Sequence, residues 1–147
     1  MGKACFAPLA GTPEIPVLEV SEWEICRAAE GLPNYTADTL RMLAQSWPGA
    51  QLYLAVGSDM LLTFTEWRRW PELLQKATLV VESRCEGDMG ALHRAARALS
   101  AEGGRIVFSQ AKALPMASSD IRAGKAPAGA LPPETEQIAG KYHLYGR

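Results

Sequence analysis

QLYLAVG, residues 51–57, is a near-continuous apolar run closed by a glycine, the form expected of a strand buried on both faces of a sheet. Two further runs of this kind follow, TLVVES at 78–83 and RIVFS at 105–109. Helical periodicity fills the intervals. In ADTLRMLAQSW, Leu40, Leu43, Ala44 and Trp47 fall at i, i+3, i+4 and i+7, with Thr36 placed as an N-cap and Pro48 beyond the end. PELLQKA carries Pro71 at a first helical position. DMGALHRAARALSAEGG sets Leu92, Ala95, Ala96 and Leu99 on one face and is closed by Gly103 and Gly104. SSDIRAG and PPETEQIAGKY supply two more helical pieces, and PVLEV at 16–20 reads as a short strand after a Gly/Pro-rich turn. Apolar strands alternating with helices predict an α/β fold, a parallel sheet with helices on both faces.

Composition bounds the rest. The chain has 147 residues, enough for one domain and one core, with 48% hydrophobic and 21% charged residues. A net charge of −1 without long runs of one sign gives no bulk attraction to nucleic acid or to an anionic membrane. No apolar run reaches the roughly 18 residues of a membrane span, and MGKACFAPLAGTP lacks the apolar centre of a signal peptide. A cytoplasmic protein is expected. Cys5, Cys26 and Cys85 are odd in number and widely spaced, which suits reduced, mostly buried thiols. No metal-ligand spacing and no nucleophile–base pair is visible.

Ligands of such sheets lie beyond the carboxyl ends of the strands. AVGSDMLLTFTEWRRW, residues 55–70, places Gly57, Ser58 and Asp59 there, with Trp67 and Trp70 a short distance on. Glycine allows a close approach; the aspartate can accept from hydroxyls, hold a cation or cap the helix that follows. Trp23, Trp47 and Trp70 read as core or helix-packing residues, Arg68 and Arg69 as solvated charges, and Glu22, Glu24 and Arg27 as an exposed charged turn.

Four blocks, in this order and at suitable spacing, carry a family resemblance: LPNYTADTL (32–40), VGSDMLLTFTEWRRWPELLQKATLVVESR (56–84), MASSDIR (116–122) and LPPETEQIAGKYHLYGR (131–147). Together they resemble the C-terminal two thirds of the bacterial nicotinate mononucleotide adenylyltransferases. Those enzymes transfer AMP from ATP to nicotinate mononucleotide, releasing pyrophosphate and forming deamido-NAD. The resemblance implies a Rossmann-like, N-terminally truncated fold, with 1–147 a single, partial nucleotidyltransferase domain. It implies that Tyr35 and Thr36 line the mononucleotide pocket, with Asn34 in place of the family's serine. Gly57 and Asp59 would stand where the nucleotides meet, Trp67 would stack on the nicotinate ring, and Arg84 would bring positive charge near the phosphates. MASSDIR is similar to the family's I-S-S-T-x-I-R, which makes Ser118, Ser119 and Arg122 the candidates for ATP phosphates, while Ala117 replaces the first serine. ATP would arrive with Mg²⁺; no protein-held metal site is implied.

The family's N-terminal G-x-F-D-P-x-H-x-G-H, which supplies its catalytic histidines, has no counterpart here. The two histidines, His93 and His143, stand in no H-x-G-H and read as structural or solvent-facing, so no catalytic residue is assigned within the chain. MGKACFAPLAG resembles the remnant of a helix from within the family's fold. A chain of this kind is expected to be inactive alone and prone to self-association through an exposed sheet edge. Two alternatives stay open, an adenylyltransferase using nicotinamide mononucleotide and a non-catalytic nucleotide-binding protein.

Overall fold

The computed structural model describes residues 2–6, 11, 13, 17–82, 89–110, 118–125, 127 and 129–144. They fall into two compact units, a continuous one over Trp23–Leu114 and one built from the two stretches Met1–Glu22 and Pro115–Arg147.

The continuous unit is organised on three parallel strands, β1 (Leu52–Gly57), β2 (Ala77–Glu82) and β3 (Arg105–Phe108), in the spatial order β1-β2-β3. Its helices are α2 (Trp23–Ala29), α3 (Thr36–Ser46), α4 (Ser58–Leu62), α5 (Trp70–Lys76) and α6 (Met89–Ala101), with a 3₁₀ turn over Phe64–Glu66. α4, the 3₁₀ turn and α5 connect β1 to β2, and α6 connects β2 to β3. This is the α/β, Rossmann-like arrangement of parallel strands flanked by helices. Strands laid down in sequence order with crossovers of one hand place both connections on the same face. The register bears this out. Leu54, Leu79 and Ile106 form one row across the sheet and Val56, Val81 and Phe108 the next, and both rows belong to the core. Leu61, Phe64, Leu73, Leu74, Leu92 and Leu99 close that core from the helices, each 3% exposed or less.

The opposite sheet face differs from the reading of 51–57 as a strand buried on both sides. Only the central strand is covered on both: Thr78 is 8% exposed, whereas Tyr53 on β1 is 61% and Val107 on β3 is 51% exposed. The core residues of α3, α4, α5 and α6 all pack on the face carrying Leu54, Leu79 and Val81, and no described helix contributes a core residue to the other face.

Element ends follow local chemistry. α6 stops where Gly103 adopts φ +88°, its N–H bonding to the Ser100 carbonyl, and the Gly104 N–H bonds to the Leu99 carbonyl. A Cβ on Gly104 would lie 2.8 Å from that Leu99 carbonyl and 2.9 Å from a Leu74 methyl, so glycine there lets β3 start directly under the helix. Several expectations need correction. Tyr35, not Thr36, is the N-cap residue of α3, and its side chain makes no capping bond. Trp47 lies past the helix end with φ −128°, ψ 76° and is 53% exposed, because leaving helical geometry swings it off the apolar face. Residues 17–20 form no strand; Val17 is 83% exposed. The charged segment read as a turn is the helix α2, where the Arg27 guanidinium lies 4.8 Å from the Trp23 ring centre. Of the thiols, Cys26 is exposed and Cys5 half-buried, both reduced; Cys85 lies outside the described residues.

The discontinuous unit contains α1 (Gly2–Phe6), α7 (Ser118–Arg122) and α8 (Pro133–Lys141), and α1 packs on α8. Ala139 of α8 is fully buried. Lys3 and Glu22 pair at 2.6 Å; hydrogen bonding and then charge from Lys3 hold the Glu22 carboxyl below its usual range. Its small contribution is therefore present at neutral pH and lost as pH falls. No helix among the described residues is long and apolar enough to cross a membrane.

Candidate functional site

A cleft of about 220 Å³ opens in the continuous unit, lined by Asn34, Tyr35, Thr36, Trp67 and Arg68. α3 runs into the turn before β1 and α5 runs directly into β2, so the N-termini of both helices point toward the carboxyl ends of those strands. The cleft sits at those N-termini, on the side where α/β sheets take ligands. A larger hollow of about 500 Å³ lies at the amino ends, along Gln51, Tyr53, Thr78, Gly104 and Arg105. Position favours the smaller one as the site.

One wall is the segment that follows β1. Phe64, fully buried, anchors the 3₁₀ turn, and the Trp67 ring stacks on it with centroids 5.3 Å apart and planes at 30°. Trp67 is half-buried: it packs against the core and still lines the cleft. The Trp67 N–H bonds to the Phe64 carbonyl and the Trp70 N–H to the Trp67 carbonyl, which fixes the backbone on both sides of the ring.

The other wall is the entry to α3. Tyr35 is extended at φ −124°, ψ 138°, and its carbonyl accepts from the Asp38 and Thr39 N–H groups. The loop before it is tied to α2: the Asn34 amide donates to the Glu24 carbonyl at 2.7 Å, Arg27 donates to the Pro33 carbonyl at 3.2 Å, and the Thr39 hydroxyl donates to the Glu24 carboxylate. With no side-chain cap, the first N–H groups of α3 at Thr36 keep their positive end toward an incoming anion.

Charge stitches the two walls together. Arg41 of α3 grips Glu72 of α5 at 2.9 and 3.0 Å and Asp38 at 2.9 Å; Arg69 approaches Asp38 at 3.9 Å and Lys76 approaches Glu72 at 4.0 Å. The hydrogen bond to Glu72 is the main cause that raises Arg41 further above its ordinary range, leaving it protonated throughout. Such half-exposed pairs are worth little individually, and their use here is to set the spacing of α3 and α5.

Of the residues expected at the site, Tyr35, Thr36 and Trp67 come together in the cleft. Gly57 and Asp59 do not line it. They lie close together at the end of β1, where a Cβ on Gly57 would come within 2.7 Å of the Asp59 carboxylate oxygen. Asp59 makes no capping bond to α4. Ser119 and Arg122 are exposed on α7 in the other unit, Ser118 begins that helix, and Arg84 and Ala117 lie outside the described residues. His93 is exposed and packs on Phe108 at 4.8 Å between ring centres. Arg68, expected to be merely solvated, lines the cleft with its guanidinium carbon 4.4 Å from the Tyr35 ring centre. The signal available in the sequence was its place beside Trp67.

Comparison with known proteins adds a family. The model of a family described as cytidylyltransferase-like matches residues 9–124. Three curated proteins named "Probable nicotinate-nucleotide adenylyltransferase" are similar. That of Maridesulfovibrio salexigens is 44% identical over 75 residues, covering 51% of this chain and 33% of its own length. That of Chloroherpeton thalassium is 39% identical over 107 residues, covering 73% and 50%. That of Neisseria meningitidis serogroup B is 31% identical over 135 residues, covering 86% and 64%. The chain thus spans between one third and two thirds of the length of these relatives.

Proposed function

The chain belongs to the cytidylyltransferase-like family, and on that premise we propose that it is the part of a nicotinate mononucleotide adenylyltransferase that holds the acceptor nucleotide. The reaction is adenylyl transfer from ATP, in NAD biosynthesis, with deamido-NAD and pyrophosphate as products. One observation carries this reading: a half-buried indole, Trp67, lines a cleft sized for a single ring, opposite Tyr35 and the uncapped start of α3. An aromatic face suits a pyridine, and the helix start suits an anion attached to it.

The roles then divide by position. Trp67 stacks on the nicotinate ring while Tyr35 and Thr36 form the opposite wall. Gly57 lets a nucleotide approach the end of β1, where Asp59 faces hydroxyls or the cation that accompanies the nucleotide. Arg84, Ser118, Ser119 and Arg122 are the groups for ATP phosphates, arginine offering a fork of donors to phosphate oxygens. Mg²⁺ comes as counter-ion of ATP and belongs to the substrate. Catalysis of this kind rests on alignment of the two nucleotides and neutralisation of phosphate charge, with little covalent work for side chains. We place the protein in the cytoplasm, where these substrates occur, and take the edge of β1 that no described strand pairs as a route to self-association.

The test is titration of the chain with nicotinate mononucleotide, followed by tryptophan fluorescence and calorimetry, beside a pyrophosphate-release assay with ATP. Saturable binding is expected, weakened in Trp67→Ala by 1–3 kcal/mol, about 5- to 150-fold. No turnover is expected, since the two histidines form no H-x-G-H. A folded chain with no affinity for the mononucleotide overturns the reading.

A further inference from the structure

We propose that Arg41 is a positioning residue for the cleft. From outside it, the guanidinium couples the helix entry that carries Tyr35 and Thr36 to the turn that carries Trp67 and Arg68, and so sets the gap between the two walls. For its ligand the inference rests on the nucleotide reading above; the clamp itself stands on side-chain geometry.

The walls come from segments far apart in sequence. Across the cleft they meet through the Arg68 guanidinium, whose carbon stands 4.4 Å from the centre of the Tyr35 ring. Such a contact holds over a range of distances up to about 6 Å, whereas hydrogen bonds keep to a narrow range of lengths and fix a spacing more closely. The hydrogen bonds lie behind the walls.

There, one nitrogen of Arg41 donates to Asp38 at 2.9 Å and the other to both carboxylate oxygens of Glu72 at 2.9 and 3.0 Å. Each carboxylate belongs to a residue tied by its backbone to the rim of the cleft. The Asp38 N–H donates to the carbonyl of Tyr35, a wall residue, and the Glu72 N–H donates to the carbonyl of Arg69, next to Arg68. Arg69 and Lys76, at 3.9 Å from Asp38 and 4.0 Å from Glu72, stand beyond hydrogen-bond length and cannot substitute for this grip. A planar fork can hold two carboxylates at once, which a lysine ammonium does less well. Neither Arg41 nor Asp38 nor Glu72 is among the residues lining the cleft. Releasing the grip therefore changes the spacing of the walls without removing a group that would touch a ligand.

The experiment compares the unsubstituted chain with Arg41→Met, Arg41→Lys, Glu72→Gln and the Arg41→Met/Glu72→Gln double variant. Three readouts are taken: affinity for nicotinate mononucleotide by calorimetry, thermal melts, and the indole N–H resonance of Trp67, assigned by its loss in Trp67→Phe. Arg41→Met should weaken binding about three- to fivefold and shift the Trp67 resonance even without ligand. Its melting temperature should fall by no more than about 2 °C, since half-exposed pairs contribute little to folding. Glu72→Gln should show the same split, the double variant should lose no more than about as much as Arg41→Met alone, and Arg41→Lys should recover part of the affinity. An unmoved Trp67 resonance in Arg41→Met overturns the proposal, as do an affinity unchanged in that variant and losses that simply multiply in the double variant. Failure of the folded, unsubstituted chain to bind the mononucleotide overturns the nucleotide reading instead, and the ligand-free Trp67 resonance then decides the clamp by itself.

Discussion

Arg69 occupies the left-handed region, φ 59° and ψ 34°, directly before α5. For a residue with a Cβ that conformation costs roughly 1–2 kcal/mol. Comparing Arg69→Gly with Arg69→Ala isolates the cost, because both variants remove the same charge. The glycine variant should be the more stable by about 1 kcal/mol in urea melts, and equal midpoints would show that the turn is unstrained. The same residue explains what could be read at this scale and what could not. That Trp67 would lie beside a cleft was legible because few environments suit an indole just past a strand end, and that Tyr35 and Thr36 would line the same cleft was legible through the family pattern. Arg68 was not. Two adjacent arginines look alike in a sequence, and a left-handed residue between Arg68 and α5, with different partners for the two side chains, is settled only by the packing of α3 against α5.

At the scale of elements, the three strands and the helices α3, α5 and α6 were legible because burial leaves a periodic apolar record. The sidedness of the sheet was not. β1 carries Tyr53 and Ala55 on its open face, and an apolar alternation of that kind is indistinguishable from a doubly buried strand until the crossovers are placed. Residues 17–20 have strand-like composition but pair with no strand among the described residues, and α2 buries none of its residues, so each was misread for want of tertiary information. One pair of variants tests the sidedness. Leu79→Ala, at a fully buried position in β2, should cost 2–5 kcal/mol of unfolding free energy. Val107→Ala, on the open face of β3, should cost less than about 0.5 kcal/mol. Comparable losses would mean that the second face is covered in solution.

For the whole molecule, the consequence of that face is association. Among the described residues β1 is paired only along its β2 side; Tyr53 stands exposed on that edge strand, and Val107 of β3 is exposed on the same open face. Free strand edges next to apolar surface recruit other chains. Sedimentation velocity should show a mass average that rises with protein concentration and a smaller rise in Tyr53→Lys; a monomer at every concentration would contradict this. A different consequence follows from the way the two units share the chain. The segment 23–114 is uninterrupted, whereas its companion needs two stretches separated by that entire segment. Loop-closure entropy falls on the second and spares the first. The continuous unit is therefore expected to consolidate first on refolding, and amide hydrogens of α1 and α8 should exchange with solvent sooner than those of β2 in a hydrogen-exchange experiment; equal protection would contradict this.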